Sequence, residues 1–110
     1  MIDAAEQART LVAGVDLDAL EADRQRRDAL LWNFTVLGEA AAQIVADVKD
    51  RFPEIPWAQP VRLRNRIIHG YWSIDLDILI TTANDLLPAF VAQLGAARSA
   101  LEADVDDPAT

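Results

Sequence analysis

The chain has no cysteine, one histidine, one tyrosine, four glycines and five prolines in 110 residues. Without cysteine there is no disulfide and no thiolate nucleophile, and nothing points to an oxidising compartment. One histidine and no cysteine cannot assemble the usual zinc sites, and there is no His-Glu-x-x-His string, so no metal is expected. Gly-rich phosphate loops and dinucleotide fingerprints are missing too, and no cofactor is expected. No apolar run approaches the roughly eighteen uninterrupted residues that a bilayer span needs. The opening Met1-Ile2-Asp3-Ala4-Ala5-Glu6 has neither a basic start nor a long apolar stretch. The expectation is a cytoplasmic protein without a membrane segment. Scarce glycine and proline beside abundant alanine and leucine point to helices joined by short connections.

Carboxylates dominate what is there. Asp and Glu number 18 against 10 Lys and Arg, giving a formal net charge of -8. Such a body is repelled by nucleic acid as a whole, which disfavours broad duplex binding. The charge is uneven, however. Arg62, Arg64 and Arg66 stand within five residues, with His69 just beyond. A local basic site on an acidic body suits a small phosphate-bearing target or a charged partner. The length allows one domain with a modest core, so a partner surface could supply burial that one copy lacks.

The sequence reads as four helices. The first spans about 4–13 and ends at Gly14. Asp16 or Asp18 caps a long second helix over about 19–49. Its apolar stripe is Leu30, Phe34, Leu37, Ala41, Ile44 and Val48, broadened by Leu31, Trp32 and Val36. Pro53 and Pro56 break the chain, and Ile55 and Trp57 pin that turn to the body. A short third helix covers about 58–69, with Pro60 in its first turn. Ser73 or Asp75 caps the fourth, whose apolar face is Leu76, Ile80, Ala83, Leu87, Phe90 and Leu94 and which Pro88 kinks or splits. The expected architecture is an all-α, up-down helical bundle with a short inserted helix that carries the candidate motif. One domain over 1–103 is followed by an acidic, disordered tail over 104–110.

That motif is Arg64-Asn65-Arg66-Ile67-Ile68-His69-Gly70-Tyr71. It gathers a strong cation, an amide, the sole histidine and a phenol. His69 is the one side chain whose ordinary pKa lies near neutrality. On an ideal helix Leu63 and Ile67 share the packed face, while Arg62, Arg66 and His69 share another at spacings of four and seven. Arg64 and His69 are about 140° apart, so they meet by unwinding of the last turn, by the reach of arginine, or across the two-fold axis of a dimer. The chemistry that fits is cleavage of an RNA phosphodiester without metal. His69 moves the 2'-hydroxyl or 5'-oxygen proton, Arg64 holds the phosphate and stabilises transition-state charge, and Asn65 orients phosphate, ribose or His69. A histidine at a helix end also serves as a plain cap, and arginines as plain salt-bridge partners. Spacing alone does not choose between these.

The string Arg64 to Tyr71 resembles the Arg-x-x-x-x-His-x-Tyr signature of HepT-like proteins in the HEPN superfamily. Three further segments resemble the family in the same order. They are Leu37-Gly38-Glu39-Ala40-Ala41, the turn Phe52-Pro53-Glu54-Ile55-Pro56-Trp57, and Asp85-Leu86-Leu87-Pro88. The resemblance implies an all-helical homodimer and a metal-independent endoribonuclease toxin of a type VII toxin-antitoxin pair, with its site in the dimer cleft. It implies Arg64 and His69 as the catalytic pair, with Asn65 as the polar residue that follows the catalytic arginine; Arg66 departs from the family pattern by adding a charge in support of RNA or partner binding. It further implies a minimal nucleotidyltransferase partner of the MntA type, which silences the toxin by transferring AMP to Tyr71. Glu39 either serves the site, by pairing with Arg64 or Arg66 or orienting His69, or forms a structural bridge with Arg26 or Arg27. Gly38 permits close helix packing. The rival of a different class is a catalytically inactive helical scaffold for the same nucleotidyltransferase, and a third reading is a nucleotide-binding dimer without hydrolysis.

Overall fold

Asp16 ends the connection after the first helix by capping the second: its carboxylate accepts from the Ala19 N–H at 2.8 Å. In the computed structural model, which describes residues 1–105, every regular element is helical. Helix α1 is Ile2–Val12 and α2 is Leu17–Ala22. Between them Gly14 adopts φ 69°, the left-handed conformation that favours glycine.

The long second helix expected over 19–49 is instead three pieces. Asp23 leaves helical geometry at φ -110° and ψ 89°, and its carboxylate accepts from the Arg26 N–H, so it closes α2 and caps α3, Arg24–Gln43. Ile44 and Val45 then run extended before α4, Ala46–Arg51. The apolar spacing continues across the second break, so periodicity does not reveal it, and the first falls in the polar stretch from Glu21 to Asp28, which carries no apolar period to interrupt. At the first break, Arg26 donates to the Leu11 carbonyl at 2.7 Å and ties α3 to the end of α1. Arg27 donates to the Glu21 carbonyl.

The proline turn behaves as expected. Ile55 and Trp57 are buried, and the indole N–H of Trp57 donates to the Phe52 carbonyl at 3.0 Å. Helix α5 follows over Ala58–Gly70, then a 3-10 turn at Tyr71–Ser73. Asp75 caps α6, Leu76–Thr81, by accepting from the Asp77 N–H. A π-helical stretch, Thr82–Leu86, leads into α7, Leu87–Val105. Its wide turn is the physical answer to Pro88: the ring has no N–H and would crowd the carbonyl of Asn84, so the chain takes an extra residue there, with the Leu87 N–H donating to the Thr82 carbonyl.

Helix α3 packs on both α1 and α5, and α1 packs on α7. The core between them is wholly apolar, centred on Val12, Leu20, Leu30, Phe34, Leu37, Leu79 and Phe90, and no described side-chain polar atom is buried without a partner. By length and composition the helical run Leu76–Asp104 is apolar enough to cross a membrane. Its Leu79, Ala83, Leu87, Phe90, Leu94 and Ala97 are packed into the bundle core. Of the acidic end expected as a tail from 104, Asp104 lies on α7 and pairs with Arg51, and residues 106–110 lie outside the described ones.

Candidate active site

The site begins with a missing side chain. Helices α3 and α5 cross at Gly38, where a β-carbon would lie 2.2 Å from Cβ of Arg64 and 2.6 Å from the Pro60 carbonyl oxygen. Only glycine allows this approach. It lays the stem of Arg64 across α3, so that the side chain is 15% exposed although it carries a charge. The crossing also puts Glu39, the next residue on α3, beside the guanidinium. One Nη of Arg64 is ion-paired with a Glu39 carboxylate oxygen, and Nε donates to the Asn65 side-chain oxygen at 2.9 Å. Of the bridges open to Glu39 from sequence, the one formed is with Arg64. Arg26 and Arg27 are engaged elsewhere.

The helix then carries its remaining groups outward. His69 is exposed in the last turn of α5, and among the described residues its ring makes no hydrogen bond to Arg64, Asn65 or Glu39. The ideal-helix separation of Arg64 from His69 therefore stands within one copy, because the last turn stays helical through Gly70. Arg66 is exposed and unpaired among the described residues, on the stripe it shares with Arg62. Tyr71 is 54% exposed and packs edge-on against Trp72, their ring centres 5.8 Å apart at 81°.

An apolar face adjoins these groups. Trp32 is 67% exposed, Trp72 78% and Ile68 53%. Trp32, Val36 and Glu39 form one stripe of α3 at spacings of four and three, and Arg64 and Ile68 one stripe of α5. Trp32 was expected to broaden the buried stripe, but it faces solvent while its neighbour Leu31 is buried. The signal for this was in the sequence: Trp32 lies seven residues before Glu39, on the face of the charged group.

Chemically, the arrangement offers a fixed cation for a phosphate, a carboxylate that competes for it, an accessible imidazole and an accessible phenol. Among the described residues no three His, Cys, Asp or Glu side chains converge to hold a metal ion.

The family model described as ribonuclease HepT-like matches residues 1–97. The chain is 33% identical over 67 residues to the probable ribonuclease HepT of Thermococcus cleftensis, covering 61% of each chain. It is 27% identical over 88 residues to the putative RNase MJ1380 of Methanocaldococcus jannaschii, covering 80% of this chain and 81% of that one. The chain thus spans about three fifths of the first of these relatives. No solved structure matches it.

Proposed function

The chain belongs to the ribonuclease HepT-like family, and we propose that it is a metal-independent endoribonuclease toxin that cuts RNA with Arg64 and His69. The observation that carries this reading is the pairing of a positioned cation with an accessible imidazole on one short helix: Arg64 is held by Glu39 and Asn65, and His69 is free. His69 takes the proton of a 2'-hydroxyl, whose oxygen attacks the adjacent phosphorus. Arg64 neutralises the charge that grows on the phosphoryl oxygens. The 5'-oxygen leaves with a proton, and the products end in a 2',3'-cyclic phosphate and a 5'-hydroxyl.

Two copies complete the site. Within one copy Arg64 and His69 point different ways around α5. The exposed apolar side chains Trp32, Ile68 and Trp72 beside them supply a reason for two copies to pair. In the resulting cleft one His69 acts as base and its counterpart as acid. Asn65 supports the scissile phosphate, Arg66 binds the RNA beside it, and Glu39 acts as a positioning residue that holds Arg64.

Silencing by an MntA-type minimal nucleotidyltransferase fits the same geometry. The phenol of Tyr71 is accessible. Its oxygen attacks the α-phosphorus of ATP, pyrophosphate leaves, and an AMP group is added in the 3-10 turn just past the end of α5. The added negative charge competes for the cations, and the added bulk fills the cleft.

The test is cleavage of a defined single-stranded RNA in EDTA by protein whose intact mass excludes modification of Tyr71, with the product ends identified. Cyclic-phosphate ends are expected. Ends bearing a 3'-hydroxyl, or cleavage that requires added divalent cation, would reject the mechanism. No cleavage across several RNAs would favour the inactive scaffold.

A further inference from the structure

In an acidic protein, two unpaired arginines one turn apart require a reason. Arg9, Arg24, Arg26, Arg51, Arg64 and Arg98 each meet a carboxylate, and Arg27 meets the Glu21 carbonyl. Arg62 and Arg66 meet neither among the described residues, although the chain carries 18 carboxylate side chains. Both are exposed on α5, and His69 continues their stripe. The axial steps from Arg62 to Arg66 and from Arg66 to His69 are about 6 Å and 4.5 Å.

The same two arginines border a groove of about 560 Å³ between α5 and the α6–π–α7 run. Leu63, Ile78, Leu86 and Phe90 give it apolar walls, and Glu54, Gln59 and Thr82 add polar groups around them. The volume lies in the range of sites that take a small organic group, about 300–1,000 Å³. The π-helical stretch that accommodates Pro88 supplies Thr82 and Leu86 to the wall, and such stretches recur at functional sites.

We propose that this groove is a subsite for the flank of the RNA substrate, in which Arg62 and Arg66 hold successive phosphates beside the cut and a nucleobase enters the groove. The inference rests on the RNA-cutting reading above and says where the substrate runs. Charge complementarity selects the occupant: free guanidinium groups spaced along one line suit a polyanion, and the line ends at the imidazole that does the chemistry. A base matches the groove because it is apolar on its faces and hydrogen-bonding at its edge.

The test uses folded His69→Ala protein, which binds without cutting, and a fluorescein-labelled single-stranded heptaribonucleotide followed by anisotropy over a range of salt. Adding Arg62→Ala and Arg66→Ala together is expected to weaken binding about tenfold or more and to reduce the log–log salt slope by about 1.4, two single-strand phosphate contacts. An abasic ribose placed at each position in turn is expected to weaken binding at one flanking position, and Leu86→Ser to reproduce that loss with intact RNA. Leu86 is 54% exposed, so its replacement leaves the fold intact. Equal affinity and slope for the arginine variant, or equal binding of every abasic RNA, overturns the subsite while the nuclease reading stands and leaves the groove to a protein segment. Failure of the folded protein to bind any RNA removes both.

Discussion

Replacing Gly38 by alanine sets two opposed effects against each other. Alanine is the better helix former by about 1 kcal/mol, so propensity alone stabilises the variant. Packing opposes it. The new methyl carbon would lie 2.2 Å from Cβ of Arg64 and 2.6 Å from the Pro60 carbonyl, where ordinary contact begins near 3.4 Å. The helices would have to separate by about 1.2 Å, the difference between the first and last of these distances. Neither Arg64 Cβ nor a backbone oxygen can turn aside as the far end of a flexible side chain can. Overpacking of this kind costs roughly 1–3 kcal/mol, and two clashes on rigid atoms place the variant at the upper end. The net loss is then about 2 kcal/mol, or a melting temperature lower by about 8 °C for a domain of this size. Gly95 on α7 is the control, because a β-carbon there meets nothing within 4 Å, and Gly95→Ala should gain about 1 kcal/mol. Thermal melts by circular dichroism at one fixed protein concentration measure both. RNA cleavage by Gly38→Ala should fall as well, since the movement carries Arg64 away from Glu39. A Gly38→Ala protein that melts at or above the wild-type temperature would refute the close-approach argument.

Trp57→Phe should cost about 1 kcal/mol in urea unfolding by removing the indole bond to the Phe52 carbonyl, which keeps only the Ile55 N–H, and Trp57→Ala about 3–5 kcal/mol, since the ring is buried at the turn. Asp23→Ala should lower the urea midpoint near neutral pH. The Arg26 N–H holds the Asp23 carboxyl below its ordinary range, so its contribution is present above the unfolded value and lost as pH falls through the folded one. The gap to wild type should therefore narrow below about pH 4, and a gap constant with pH contradicts the assignment. Glu39→Gln should change stability by less than about 1 kcal/mol, because the carboxylate is half exposed, yet lower kcat roughly 10- to 100-fold with little change in KM. Unchanged kcat would reduce the pair to a structural bridge.

Much of this was legible in the chain. Leu63 and Ile67 fall on the inner side of α5, Asp75 and Gly14 end or begin elements where their chemistry requires, and Trp57 pins the proline turn. The motif places Arg64 and His69 on one helix. The helix break at Ile44–Val45 was not legible, because a regular apolar period passes through it without changing register, and the one at Asp23 lies in a polar stretch with no period to interrupt. The widened turn before Pro88 could be foreseen as a disturbance but not as a π-helical one. The exposure of Trp32 was hidden for a related reason: a tryptophan beside a buried leucine reads as core until the charged group that shares its face is located. The partner of Glu39 follows from a glycine, since only the approach at Gly38 brings that carboxylate to Arg64 rather than to Arg26 or Arg27.

The most direct test of the central claim is the rate of RNA cleavage in excess EDTA by wild-type protein beside folded Arg64→Ala and His69→Ala variants. Cyclic-phosphate products are expected from the wild type, with a loss of at least about 100-fold in the His69 variant and a comparable loss in the Arg64 variant. Cleavage by folded His69→Ala at the wild-type rate would contradict that claim.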